Sequence, residues 1–143
     1  MKIAVFLFYL SKFVAKMNTS EQYDNVICFC RDIFHKKLAD YGAAWRILRP
    51  ESLTDQIYIK ANRIRSIEIK GESKIDEDIK SELVGIVNYA IIALIQTDLK
   101  HAVKVDIENE KAMKMYEKYF SEAKDLMMKK NHDYDEAWRL MRT

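Results

Sequence analysis

Tyr23, Val26, Ile27, Cys30, Ile33, Phe34 and Leu38 recur at spacings of three and four residues, which predicts an amphipathic helix of about five turns. Thr19-Ser20-Glu21-Gln22 ahead of them reads as a capping box with Thr19 as the cap, and Gly42 reads as the stop. Pro50 separates a second element, in which Ser52-Leu53-Thr54-Asp55 is a capping signature and the helix runs to about Lys70, closed by Gly71. The stretch from Ile79 to Ile95 is the most apolar of the chain and has the length of a central buried helix. Its acidic residues and its glycine argue against a membrane span. Residues 101–110 carry no clear signal of their own, and Ile107, Met113, Tyr116, Phe120, Ala123, Leu126 and Met127 trace a fourth helical stripe. The expected fold class is all-α, a bundle of four principal helices.

Composition agrees with that pattern. Three glycines and one proline in 143 residues leave few turn formers, and 49% hydrophobic against 32% charged residues suits one helical domain with its own core. A net charge of +2 excludes a general polycation, so there is no strong nucleic-acid signal and any anion site must come from local clustering. Cys28 and Cys30, two apart on a helix, point in different directions and cannot bridge each other, which suggests a reducing, cytoplasmic setting. Met1–Lys16 holds the apolar run Ile3–Leu10, too short to cross a bilayer. It reads as an extension upstream of Met17, with a signal or anchor and a packed helix as the alternatives.

The chain also matches itself. At an offset of 93 residues, eight of the fourteen positions in Lys36–Arg49 are identical, among them Asp40/Asp133, Tyr41/Tyr134, Trp45/Trp138, Arg46/Arg139 and Arg49/Arg142. Tyr23 and Tyr116 keep the same register. This is an internal duplication. It divides the chain into an N-terminal extension (1–18), a first helical unit (19–100) and the start of a second unit (101–143) packed into the same domain. The second unit stops before its counterparts of the second and third helices, so the repeat predicts a longer protein, by about 45 to 50 residues.

Candidate chemistry collects around the repeated motif. Lys36, Lys37, Arg46 and Arg49 surround Asp40, Tyr41 and Trp45, offering charged donors for phosphate and aromatic faces for a base or sugar. The same residues could equally be a basic helix end followed by core aromatics. On the second helix Lys60 falls inside the stripe Leu53, Ile57, Ile64 and Ile67, with Arg63 beside it, so it must pair, snorkel or meet an anion. Asp55 sits in that helix's first turn, where a carboxylate also favours the dipole. On the apolar helix, Asp78, Glu82, Gly85, Tyr89 and Gln96 form a narrow polar strip opposite Leu83, Val87, Ala90 and Leu94. Two carboxylates four apart can share a divalent cation, whereas the commoner reading of such a strip is a solvated face. Asn88 lies nearer the apolar side and needs a partner. His35, His101 and His132 show no metal-ligand spacing, and there is no glycine-rich phosphate loop or nucleophile elbow.

KKLADYGAAWRILRPESLTDQIYIKANRIRSIE, ELVGIVNYAIIALIQ and the second KKNHDYDEAWRLMR resemble the bacterial and phage family called nucleotide modification associated domain 1, over about Thr19 to Thr143. The helical pattern is also similar to the all-α nucleoside triphosphate pyrophosphatases, the MazG and dUTPase-like enzymes. Those enzymes release pyrophosphate with magnesium held by paired acidic motifs. Here the EExxE motif is absent, and Ser81 and Gly85 stand where related phage-type sequences carry aspartates ahead of the Tyr-Ala pair, leaving Asp78 and Glu82 as the substitutes. The resemblance implies a protein that binds a nucleotide or modified base; with the cysteine usage and the lack of a membrane span, the expectation is a cytoplasmic protein away from membranes, with a homo-oligomer as a further expectation. Lys36, Asp40, Tyr41, Trp45, Arg46, Arg49, Asp55, Lys60 and Arg63 would form the ligand site, with Asp78 and Glu82 holding Mg2+ if metal is used. As an enzyme it would be a nucleoside triphosphate pyrophosphatase; the alternative is a non-catalytic helical module for structure or protein interaction.

Overall fold

A computed structural model describes residues 18–72 and 78–141; the apolar run at 3–10 and the repeat position Arg142 lie outside them. Four α-helices account for the fold: α1 Thr19–Tyr41, α2 Pro50–Lys70, α3 Ile79–Leu99 and α4 Asn109–Tyr134. Short 3-10 turns follow α1 (Ala44–Ile47) and α4 (Ala137–Leu140). The described residues contain no strand, so the protein is all-α, and the two 3-10 turns hold the AWR residues of the duplicated motif.

The helix boundaries follow local chemistry, with two shifts from expectation. The N-cap of α1 is Asn18 rather than Thr19: its side chain accepts from Glu21 N–H, while the Glu21 carboxylate accepts from Asn18 N–H. Asparagine caps at least as well as threonine, which leaves Thr19 to turn inward and become buried. α2 starts at Pro50 with Arg49 as N-cap, ahead of Ser52, because the fixed φ of proline suits the first helical position. Gly42 and Gly71 end α1 and α2 at φ 62° and 70°, and their N–H groups bond back to Leu38 and Ile67 carbonyls. Asp135 ends α4 at φ 49°, the left-handed conformation that Gly42's counterpart has to adopt without glycine's freedom.

α3 is the central element and touches α1, α2 and α4, whereas α2 packs chiefly on α3. α3 is long and apolar enough to cross a membrane by length and composition alone. In this fold, however, its Glu82, Asn88 and Gln96 are buried against neighbouring helices and turns. The core combines Ile27, Phe34 and Leu38 of α1, Leu53 of α2, Ile91, Ile92 and Ile95 of α3, and Ala112, Tyr116 and Tyr119 of α4. Phe34 stacks on Tyr116 at 4.4 Å between centroids and leans on Trp45 at 6.5 Å. Asn88 finds the partners that its position demands: its Nδ2 donates to Cys30 O at 3.1 Å and its Oδ1 accepts from the Tyr116 hydroxyl at 2.8 Å. One amide thereby ties α1, α3 and α4 together, and burial pushes the Tyr116 hydroxyl well above the usual tyrosine range. The two cysteines are free, Cys28 exposed and Cys30 buried.

Candidate functional site

A cavity of about 870 Å³ opens between the C-terminal half of α1, the first 3-10 turn, Lys60 of α2 and the N-terminal half of α3. Its wall is largely apolar: Phe29, Ile33 and Leu38 from α1, Trp45 and Leu48 from the turn, Val84 and Ile92 from α3. It also carries cations. Lys37, Lys60 and Lys80 all line it, and the Lys80 ammonium sits 4.3 Å from the centre of the Phe29 ring.

Glu82, only 3% exposed, is shared by Lys60 at 3.2 Å and by the Arg63 guanidinium. The polar strip on α3 is therefore turned inward, while Leu83, Ala90 and Leu94 on the opposite side are exposed. The commoner expectation of a solvated polar face is reversed, because α2 brings Lys60 and Arg63 to meet the carboxylate and makes its burial affordable. Gly85 is what lets Lys60 reach. A Cβ at position 85 would stand 2.6 Å from the Lys60 Cε and 3.1 Å from its Nζ, so any side chain there displaces the lysine. Trp45, which lines the cavity, keeps its buried indole N–H without an acceptor among the described residues.

The structure brings together only part of the set expected from sequence. Tyr41, Trp45, Lys60, Asp78 and Glu82 line the cavity, and Arg63 reaches it through Glu82. Lys36, Asp40, Arg49 and Asp55 are exposed and do not line it. Arg46 is buried for another purpose: its Nε and Nη2 fork onto the Asp106 carboxylate at 2.7 and 3.0 Å, and its Nη1 donates to Lys100 O at 2.7 Å and to the Gln96 side chain. Gln96 Nε2 in turn lies 2.9 to 3.1 Å from the carbonyl oxygens of Trp45, Arg46 and Leu48. The arginine of the motif thus locks the 3-10 turn to the end of α3. Lys80 was missed as a site residue, whereas Lys37, one of the basic residues expected around the motif, lies with Ile33 and Tyr41 on one i, i+4 stripe and lines the cavity.

Asp78 and Glu82 do share the cavity, yet they do not fit a divalent cation as arranged. Glu82 already faces two cations, and Asp78 caps α3 by accepting from Ser81 N–H at 2.8 Å. Among the described residues no group of three His, Cys, Asp or Glu side chains comes together to hold a metal.

A comparison with known families matches residues 37–97 to nucleotide modification associated domain 1. The matched span begins at Lys37, contains α2 and most of α3, and ends one residue after Gln96, so it holds the whole cavity wall except Phe29, Ile33 and Phe34. No curated protein and no solved structure matches the chain, and the likeness to MazG and dUTPase-like enzymes rests on helical pattern alone.

Proposed function

We propose, for a chain whose residues 37–97 match nucleotide modification associated domain 1, that the cavity between α1 and α3 binds a nucleotide or modified base. The observation that carries this reading is the pairing of an apolar cavity with three lining cations, Lys37, Lys60 and Lys80, against two carboxylates, Asp78 and Glu82, the second of which is already held by Lys60 and Arg63. A volume of about 870 Å³ accommodates a mononucleotide. The base lies on the Ile33, Val84 and Ile92 side, Tyr41 at the exposed rim stacks on it, and the Trp45 indole N–H supplies a donor for a ring nitrogen or carbonyl. Phosphate meets the Lys37, Lys60 and Lys80 ammonium groups, with Glu82 holding Lys60 in place.

Hydrolysis of the α–β phosphoanhydride, the activity that the pyrophosphatase resemblance implies, has weaker support because it needs carboxylates free for a metal. Binding without chemistry is the reading we favour. The test is a thermal-shift screen of nucleotides and bases, with and without magnesium. A binder at a hundredfold excess over its Kd stabilises by about 2.7 kcal/mol. At least one nucleotide raises the Tm independently of magnesium, and the double variant Lys37→Ala/Lys80→Ala loses most of the rise. A full panel with no shift overturns the reading.

A further inference from the structure

The apolar stripe of α4 continues beyond the point at which the core covers it. Leu126 is 55% exposed, and across from it on α1 Val26 is 59% exposed. Between them runs a groove of about 680 Å³, and its wall repeats the wall of the first cavity residue by residue. Leu126, Met127, Lys130, Tyr134, Ala137 and Trp138 stand 93 positions after Ile33, Phe34, Lys37, Tyr41, Ala44 and Trp45, and all twelve line their respective hollows. In the first unit the wall is closed by α2 and α3; here the other side is only the N-terminal end of α1.

The difference shows in every group that α3 satisfies in the first unit. Trp45 is 9% exposed and Trp138 44%. Arg46 is sealed by Asp106 and Gln96, whereas Arg139 turns to its neighbour Glu136 and to Gln22 of α1. Gln96 caps the carbonyls of Trp45, Arg46 and Leu48, and the matching carbonyls belong to Trp138, Arg139 and Met141. Asn131, which replaces Leu38, holds a buried Nδ2 with no acceptor among the described residues.

We infer that this groove is the docking site of a partner helical hairpin with the surface chemistry of α2–α3. That partner presents an Ile/Val/Leu stripe to Leu126 and Trp138, a glutamine to the carbonyls of the second 3-10 turn, a carboxylate to Lys130 and an acceptor to Asn131. The first unit is the template, because the same wall already binds such a hairpin within the chain.

The experiment uses the full chain carrying Trp45→Phe, so that Trp138 is its only tryptophan, and a synthetic peptide of residues 50–99, which contains none. Saturable binding with a blue shift of Trp138 emission is expected. A Gln96→Ala peptide should bind about tenfold more weakly, the loss of a buried polar contact. Leu126→Glu in the protein should abolish the shift while helical circular dichroism is retained. No shift at high peptide concentration overturns the inference, as does a shift that survives Leu126→Glu. A shift without peptide that grows with protein concentration also overturns it, in favour of a second copy, and one caused by nucleotides does so in favour of a small ligand. Should Trp45→Phe fail to fold, fluorine NMR of the chain labelled with 5-fluorotryptophan reports Trp45 and Trp138 separately and decides by the same criteria.

Discussion

A guanidinium that is 2% exposed needs partners on the protein itself, and Arg46 has three: the Asp106 carboxylate, the Gln96 amide and the Lys100 carbonyl. Arg46→Ala leaves the Gln96 side-chain oxygen and the Lys100 carbonyl without their donor and should cost about 2 kcal/mol or more, the range for leaving buried polar groups unsatisfied. Arg49→Ala, at an exposed position of the same motif, should stay within about 0.5 kcal/mol in the same urea titrations. The Arg46 hydrogen bonds also hold the Asp106 carboxyl below the usual aspartate range. Its folded pKa is thus lower than its unfolded one, so the stability it contributes is complete above that range and is lost as pH falls through it. Asp106→Asn should flatten the acid limb of urea stability against pH without abolishing it, because Asp98, lowered by the Tyr119 hydroxyl, and Glu136, lowered by Arg139, shift in the same direction. Gly85→Ala separates function from stability. Alanine gains about 1 kcal/mol of helix propensity, while its Cβ pushes aside the flexible end of Lys60. Unfolding stability should change by about 1 kcal/mol or less, and the nucleotide-induced rise in Tm should fall sharply.

Each helix expresses how completely it is covered. α3 is buried on several sides, but α2 has only Leu53 fully buried and leaves Tyr58, Ile59 and Ile69 exposed. Local opening of α2 therefore sacrifices few contacts beyond those with α3. Amide exchange should be faster in the middle of α2, around Ile59–Asn62, than in the middle of α3, around Asn88–Ile92, and a bound nucleotide should slow α2 by fixing Lys60. Equal protection of the two segments would show that α2 opens only with the whole fold. The four helices were legible from apolar periodicity, and the C-terminal ends of α1 and α2 from Gly42 and Gly71, because these signals act within a few residues. The inward turn of the Asp78–Gln96 strip was not legible. On a helical wheel a polar strip looks solvated, and only the approach of Lys60 and Arg63 from another helix reverses it. For the same reason the motif's basic residues could not be sorted by composition: Lys36 and Lys37 are neighbours about 100° apart around α1, yet only Lys37 lines the cavity, and Arg46 disappears into the core.

At the scale of the whole molecule the duplication was legible at 93 residues' separation, but the inequality of its two copies was not. Identical side chains have different energies when one copy is covered and the other is not. Trp45 lies in the core beside Phe34, whereas Trp138 rests at the surface with Arg139 over its ring at 4.5 Å. Truncating a buried aromatic removes its transfer free energy and leaves a cavity that the neighbours fill only in part. Trp45→Ala should therefore cost about 3 kcal/mol or more, while Trp138→Ala should cost about 1 kcal/mol or less. Urea midpoints at constant slope measure both. The pair also tests the docking groove from the side of stability: with the 50–99 peptide saturating, the cost of Trp138→Ala should rise toward that of Trp45→Ala, because the hairpin completes around Trp138 the burial that α3 gives Trp45. A cost that is unchanged by the peptide would mean that Trp138 stays at the surface and that the repeated wall has lost its partner face. Equal costs without any peptide would contradict the exposure difference on which the distinction between the two units stands.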